Sequence, residues 1–427
     1  MADVEFDDLR QRGDQARSLV VEAVARMAFE PERCGLSGGD SEAAEFVIGL
    51  GLIAPRPGVA PRPGMQLDNR AAEFGAGLQR LRRRLDEHRD PDSRPRQFGD
   101  VRLQRPKPAD HVETALGRAL GPLFRDDATN FVGRILVIDL PELTSRSPKE
   151  PARAILSCAA NLREFVPRRL FDSHKGDFGR VGIVAGSRGL VGASVLCSDA
   201  AARAGGGLIS LYVPEDIYNL VVNKVTPEIM VKPTRDLRSV LDERLDAIGI
   251  GPGLGSIGHQ EILDVVTGFA GPMVVDADAL NALSSAVGKL HTCAGSRLLT
   301  PHPGEVSRLW ATSGKSRLEI VREFTAEFPS ALLLKGSRTL VGQSGKPMAY
   351  NSTGSPGLAT GGSGDVLTGV CAAFLARKIP PYDAGRLGAW LCGRAAEIAV
   401  HDSSEESMLP SDLFSDLGPA FRELRNG

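Results

Sequence analysis

Residues 180–214 read RVGIVAGSRGLVGASVLCSDAAARAGGGLISLYVP, and the reading of this stretch decides the fold. RVGIVAG (180–186) is a short, β-branched apolar run ending in glycine, GASVLCSDAAARAG (192–205) reads as a helix, and GLISLYVP (207–214) is the next strand. The alternation continues toward the C-terminus. LDAIGIG (245–251), GPMVVDAD (271–278) and SRLLTPH (296–302) are strands, a charged helix runs from about Ser316 to Glu327, and ALLLKG (331–336) and TLVGQ (339–343) follow. Short apolar strands separated by helices are the sequence form of a mostly parallel sheet covered on both faces, an α/β fold.

In such sheets ligands bind beyond the carboxyl ends of the strands. The chemistry-bearing segments sit at those ends: GSRG after RVGIVA, GPGLG after DAIGI, DADALN after MVV, HPGE after RLLTP and KGSRT after ALLL. The densest is NSTGSPGLATGGSGDVLTGV, residues 351–370, a glycine-rich turn running into a helix. Apolar residues Val366, Val370 and Phe374, with Leu367, Cys371 and Leu375, advance by four and predict a buried helix. Gly361, Gly362 and Gly364 leave main-chain amides bare at its N-terminus, where unpaired N–H groups and the helix dipole attract an anion. Asp365 in the same loop would repel a phosphate unless it has a chemical task. It is read as a base that takes the proton of a substrate hydroxyl attacking a terminal phosphoryl group. The alternative is an aspartate N-cap on a glycine-rich turn.

The other motifs carry paired readings too. Lys335 to Thr339 (KGSRT) would face nucleotide phosphates and ribose, or form an ordinary turn. In TPHPGEVSRL (300–309), two prolines hold His302 rigid for substrate contact, and Glu305 would reach Mg²⁺ through water. The alternative there is a loop histidine capping a helix, with Glu305 favourable in the first turn. Asp276 and Asp278 would hold a metal or a substrate hydroxyl, or else cap a helix beginning at Ala279.

Composition bounds these readings. At 427 residues, with 42% apolar and 24% charged residues, the chain belongs with globular proteins. A net charge of −2 gives no bulk attraction to nucleic acid or an anionic membrane. The six cysteines lack metal-ligand spacing and read as reduced thiols. The acidic N-terminus has no apolar signal core and no apolar run approaches the roughly 20 residues that span a bilayer. A cytoplasmic protein is expected.

Taken together, KGDFGRVGIVAGS, GPGLG, DADALN, TPHPGE, LLLKG and GSPGLATGGSGDVLTG resemble the NAD(P)H-hydrate dehydratases over about Lys175 to Val400. The resemblance implies a ribokinase-like three-layer α/β/α fold over residues 165–425. It also implies an enzyme that restores NADHX and NADPHX, the hydrated dinucleotides, with ADP or ATP as phosphoryl donor and Mg²⁺. By motif, Ala193, Gly253 and His302 fall on hydrate-binding positions, and Asp365 on the catalytic and substrate-contacting aspartate. Lys335, Gly336, Ser337, Arg338 and Thr339, with Gly357, Gly361, Gly362, Ser363 and Gly364, fall on nucleotide-binding positions. A homo-oligomer is expected.

Residues 1–150 differ in character. APRPGVAPRPG (54–64) is proline-rich, and GLQRLRRRLDEHRDPDSRPRQ (77–97) reads as an exposed charged helix and linker. FVGRILVIDLPEL (131–143) resembles the closing strand of the family's epimerase domain. CGLSGGDSEAAEFV (34–47) has its glycine-rich loop without the paired asparagines. A degenerate or truncated epimerase-like extension is expected. Two other functions use the same loop: a hydroxyl kinase of the hydroxymethylpyrimidine or hydroxyethylthiazole type, and a non-catalytic nucleotide sensor. HPGE and GPGLG favour the dehydratase, and Asp365 argues against a sensor.

Overall fold

The apolar runs of the sequence become strands because each offers side chains to helices on both faces. The computed structural model describes residues 152–255 and 257–426. The proline-rich segment 54–64, the charged segment 77–97 and the segments 34–47 and 131–143 lie outside the described residues. The strands among the described residues are β1 (Ala154–Ser157), β2 (Arg180–Val184), β3 (Leu208–Pro214), β4 (Ile229–Thr234) and β5 (Ala247–Ile250). They continue as β6 (Met273–Val275), β7 (Arg297–Leu299), β8 (Ala331–Leu334), β9 (Leu340–Gly342) and β10 (Met348–Asn351).

All belong to one ten-stranded sheet of order β1-β10-β9-β8-β7-β6-β5-β2-β3-β4. Only β9 runs antiparallel to its neighbours. Apart from Arg180, every residue of β2, β5, β6, β7 and β8 is buried, as a sheet covered on both faces requires. The strand order turns back at β2, which pairs with both β5 and β3. That switch opens a crevice at the carboxyl ends of β2 and β5.

Helices α1 (Ala159–Leu162), α2 (Val191–Arg203), α3 (Tyr218–Val222), α4 (His259–Gly268) and α5 (Ala277–Ser284) come first among the described residues. They are followed by α6 (Pro303–Leu309), α7 (Arg317–Glu327), α8 (Ser363–Ala376), α9 (Pro381–Asp402) and α10 (Leu413–Asn426). Apolar side chains of α2, α8, α9 and α10 form one continuous core with alternate residues of the strands, such as Val181, Ile183, Leu298 and Leu333. Ile262 of α4, Leu280 of α5 and Phe324 of α7 are buried outside that cluster, on the other face. The result is a three-layer α/β/α sandwich.

Helix α8 is the centre of the packing. Every residue from Val366 to Ala376 is buried, so the helix is apolar all round and cannot face water. Full burial of Phe374 alone contributes about 1.5–3 kcal/mol. A Cβ on Gly369 would lie 2.0 Å from Cys197 O, so α2 and α8 meet backbone to backbone. This close approach fixes the first turn of α8 over the crevice.

The edge strand β1 is held from afar. Ser352 Oγ donates to Ser157 O (2.6 Å), and Arg386 of α9 donates to Asn161 Oδ1 (2.9 Å) and Ser157 Oγ (3.3 Å). No helix among the described residues is long and apolar enough to cross a membrane. The five described cysteines, Cys158, Cys197, Cys293, Cys371 and Cys392, are free thiols.

Candidate active site

The strand-end motifs do converge. Beyond β5, Gly251 takes a φ of 125°, and a Cβ there would lie 1.8 Å from Asp276 O, so the ends of β5 and β6 abut. Beyond β6, Asp276 occupies the N-cap position of α5 but makes no capping bond. Its side chain turns inward instead. Oδ1 accepts from Lys335 Nζ at the end of β8 (2.8 Å), and Oδ2 accepts from Thr368 Oγ1 on α8 (2.7 Å). Asp278 accepts from Gly255 N (2.7 Å) and from Asn281 Nδ2 (3.2 Å). Neither aspartate caps α5, which starts at Ala277 rather than the expected Ala279.

Lys335 is therefore engaged by the protein itself. Its Nζ lies 2.8 Å from Asp276 and 3.5 Å from Glu305 Oε2, with 19% of the side chain exposed. Burial alone would lower its pKa, but the charges of Asp276 and Glu305 overcome this and hold the ammonium above its ordinary value. Beyond β7, His302 and Glu305 form a reciprocal capping box on α6. Gly304 N donates to His302 Nδ1 (3.0 Å), and His302 N donates to Glu305 Oε2 (2.8 Å). The capping alternative is thus realised. His302 Nε2 also lies 3.5 Å from Glu305 Oε1.

The glycine-rich loop lies against this ionic cluster. Gly362, with φ of 103°, is the N-cap of α8. A Cβ on Gly364 would sit 3.3 Å from Lys335 Nζ and 3.6 Å from Asp276 Oδ2. In the first turn, the amides of Gly364 and Asp365 have no carbonyl four residues back within the helix to bond. Ser363 Oγ is buried and without a hydrogen-bond partner among the described residues. A buried hydroxyl and bare amides on a glycine backbone suit phosphoryl oxygens.

Asp365 stands beside them. Burial first, then the charge of Asp276, pushes its carboxyl from 3.8 to about 7, while Lys335 pulls the other way and Asp278 adds to the rise. A carboxyl poised there exchanges a proton near neutral pH, which suits a general base.

The remaining expected residues are distributed around this centre. A Cβ on Gly253 would meet Ala193 Cβ at 2.8 Å, so the two expected hydrate-binding positions touch across the crevice beside Leu190. Arg317 Nη1 donates to Ser337 O (2.7 Å) and Nη2 to Leu334 O (3.2 Å), steadying the turn after β8. Gly336 has φ of 146° and Arg338 φ of 52°, while Thr339 Oγ1 donates to Gly336 O (3.0 Å). Gly361 has open space where a Cβ would be. Gly357 is placed differently: it is buried in a short 3₁₀ turn against Val400 and Met408. Sequence reasoning did not single out Thr368 or Arg317. Thr368 had a signal, being a polar residue one turn after Asp365 in an apolar helix.

The donor set also tests the expected Mg²⁺. Both Glu305 oxygens already face protein donors, so they do not fit direct coordination. Among the described residues no group of three or more His, Cys, Asp or Glu side chains could hold a metal. Mg²⁺ often relies on nucleotide phosphates and retained water. The residues fit that arrangement.

The family described as NAD(P)H-hydrate dehydratase matches residues 181–418. The bifunctional NAD(P)H-hydrate repair enzyme of Moorella thermoacetica is 37% identical over 349 residues, covering 73% of this chain and 65% of that protein. The ADP-dependent (S)-NAD(P)H-hydrate dehydratase of Neisseria meningitidis is 35% identical over 284 residues, covering 65% of this chain and 95% of that protein. The ADP/ATP-dependent NAD(P)H-hydrate dehydratase of Bacillus subtilis, co-crystallised with ATP and Mg²⁺, superposes with a TM-score of 0.56 at 29% identity, over 63% of this chain and 98% of its own. The chain spans 65% of the Moorella protein's length and 55% of that of the Vibrio cholerae bifunctional enzyme. With the ribokinase-like sandwich and the glycine-loop aspartate in place, this chain belongs to the NAD(P)H-hydrate dehydratase family.

Proposed function

We propose that the chain is an ADP- or ATP-dependent (S)-NAD(P)H-hydrate dehydratase, a hydro-lyase that returns NADHX and NADPHX to NADH and NADPH. The observation that carries this reading is Asp365, a half-buried carboxyl raised to about 7 at the mouth of a bare helix N-terminus. Its carboxylate takes the proton of the ring hydroxyl as the oxygen attacks the terminal phosphoryl group. The nucleotide leaves with one phosphate fewer. Phosphate then departs from the ring with its former hydroxyl oxygen, and loss of a ring proton restores the dihydropyridine double bond. Hydroxide is a poor leaving group and phosphate a good one, so phosphorylation makes the elimination feasible.

The chain's own residues set the geometry. Amides of Gly364 and Asp365, with Ser363 Oγ, receive the phosphoryl oxygens. Gly361 and Gly362 admit them, while Lys335, Gly336, Ser337, Arg338 and Thr339 border the nucleotide and Gly357 shapes the loop from behind. Ala193, Gly253 and His302 border the hydrated ring. Lys335 supports Asp276 and Glu305 and acts on the phosphate through the field it creates rather than by free reach. Mg²⁺, when bound with the nucleotide, would neutralise phosphate charge, with Glu305 reaching it through water.

Residues 1–150 are proposed to be an epimerase-like extension without activity, on the grounds that 34–47 lacks the paired asparagines. A cytoplasmic enzyme without a membrane or nucleic-acid partner is proposed on the net charge of −2, which gives no bulk attraction to either polyanion. A homo-oligomer is part of the same proposal, and its mass in solution tests it.

Incubation with hydrated NADH or NADPH, Mg²⁺ and either ADP or ATP should restore the dihydronicotinamide absorbance. No recovery with either nucleotide refutes the dehydratase. The R epimer supplied alone should give no recovery beyond its spontaneous epimerisation, and faster recovery would refute the inactive extension.

A further inference from the structure

At the other edge of the sheet, where β2 and β3 begin, arginines gather that the proposed reaction does not use. Arg168, Arg169, Arg422, Arg425 and Asn426 line a recess of about 490 Å³. Arg169 Nη2 donates to Gly205 O (2.9 Å), just beyond the C-terminus of α2, and its guanidinium lies 3.7 Å from the centre of the Phe178 ring. Arg425 Nε donates to Val166 O (3.1 Å). Arg377 is the C-cap of α8, at the opposite end of that helix from Asp365. A helix of this length, at about 1.5 Å per residue, puts the two ends roughly 20 Å apart.

Other arginines of this chain hold carboxylates, as Arg235, Arg238, Arg386 and Arg394 do. Among the described residues, no carboxylate pairs with Arg168, Arg169, Arg377, Arg422 or Arg425. Burial, then the charges of Arg168 and Arg169, depresses Arg425, and burial, then Arg169 and Arg425, depresses Arg377. Helix C-termini and their carbonyls account for Arg169, Arg377 and Arg425. They do not account for Arg168 and Arg422, which are exposed and face the same recess.

We propose that this recess is a second anion site, which binds a small phosphorylated molecule with several negative charges. Like charges brought together repel, and a bound polyanion reverses that term. Guanidinium forks match phosphoryl oxygens two at a time, which a scatter of lysines would not. The volume lies within the range of small-molecule sites, roughly 300–1,000 Å³, and is more than a single inorganic ion fills.

Inorganic tripolyphosphate is the probe, titrated calorimetrically into the full chain with ADP in excess. A binding component should persist under excess ADP and weaken as salt screens it. Arg168→Gln with Arg422→Gln should weaken that component by at least about tenfold. Arg168→Lys with Arg422→Lys should give an intermediate loss, since charge survives without the fork. Both double variants should keep the melting temperature and turnover of the parent. The proposal is overturned if tripolyphosphate does not bind at millimolar concentration, if excess ADP abolishes all binding, or if the glutamine variant titrates like the parent.

Discussion

Replacing Asp365 by asparagine should make the protein more stable and nearly inactive, and the two effects should depend on pH differently. The folded carboxyl titrates near 7, against 3.8 for the unperturbed group, chiefly because it is buried. At about 1.4 kcal/mol per pH unit, that displacement corresponds to a penalty of about 4 kcal/mol at most. Water reaches part of the side chain, so about 2–4 kcal/mol is expected. Between the two pKa values the folded state holds more protons than the unfolded state, so stability falls as pH rises. The penalty is absent below 3.8 and complete above about 7. Asparagine carries no charge at any pH. The stability gained by Asp365→Asn should therefore be near zero at about pH 4 and about 2–4 kcal/mol at about pH 8. For a domain of this size the latter is a rise of roughly 4–8 °C in Tm. Thermal melts across pH measure this. Turnover of hydrated NADH should fall by about 10²–10⁴-fold with nucleotide affinity largely retained. A gain in stability that does not vary with pH, or none at about pH 8, would refute the burial argument. Near-normal turnover would refute Asp365 as the base.

Three further substitutions probe the surroundings. Asp276→Asn removes one charge that raises Asp365, so the ascending limb of kcat/KM against pH should move about one unit toward acid; an unmoved limb would count against electrostatic coupling. Gly364→Ala places a methyl 3.3 Å from Lys335 Nζ without a strained φ, and should raise the nucleotide KM by about tenfold or more while Tm barely changes; an unchanged KM would mean phosphate does not approach there. Arg297 is 1% exposed and donates to Val266 O, Phe269 O, Gly271 O and Ser296 O. Arg297→Met leaves those carbonyls without their donor and should cost about 3 kcal/mol or more in urea unfolding, a smaller loss meaning that the backbone re-pairs.

The fold was legible where strands are buried on both faces, because an unbroken apolar run has few other interpretations. It was illegible at the edges. Strand β4, IMVKPT, carries Lys232 and Pro233 and is only half covered, so nothing in its composition distinguishes it from a loop. Strands β1 and β10 are four residues each, and their pairing joins distant parts of the chain. The glycine loop was readable because bare backbone leaves a compositional mark. Asp276 was not, since the partners that turn it from a cap into the centre of an ionic cluster, Lys335 and Thr368, lie 59 and 92 residues away. The two prolines around His302 mark the turn at which α6 begins. They left open whether the imidazole faces a ligand or its own helix, and the structure shows a bond to Gly304 N.

The attachment of β1 has a consequence for synthesis. The bond from Ser352 to Ser157 closes across 195 residues, and that from Arg386 to Asn161 across 225. At about 5–20 residues per second, Ser157 leaves the ribosome roughly 10–40 s before Ser352 does. Throughout that interval Ile155 and Leu156, buried in the finished protein, have no strand to join. The segment that begins the sheet thus waits for one of the last strands to be made, and during that interval it is available to the chaperones that meet nascent chains.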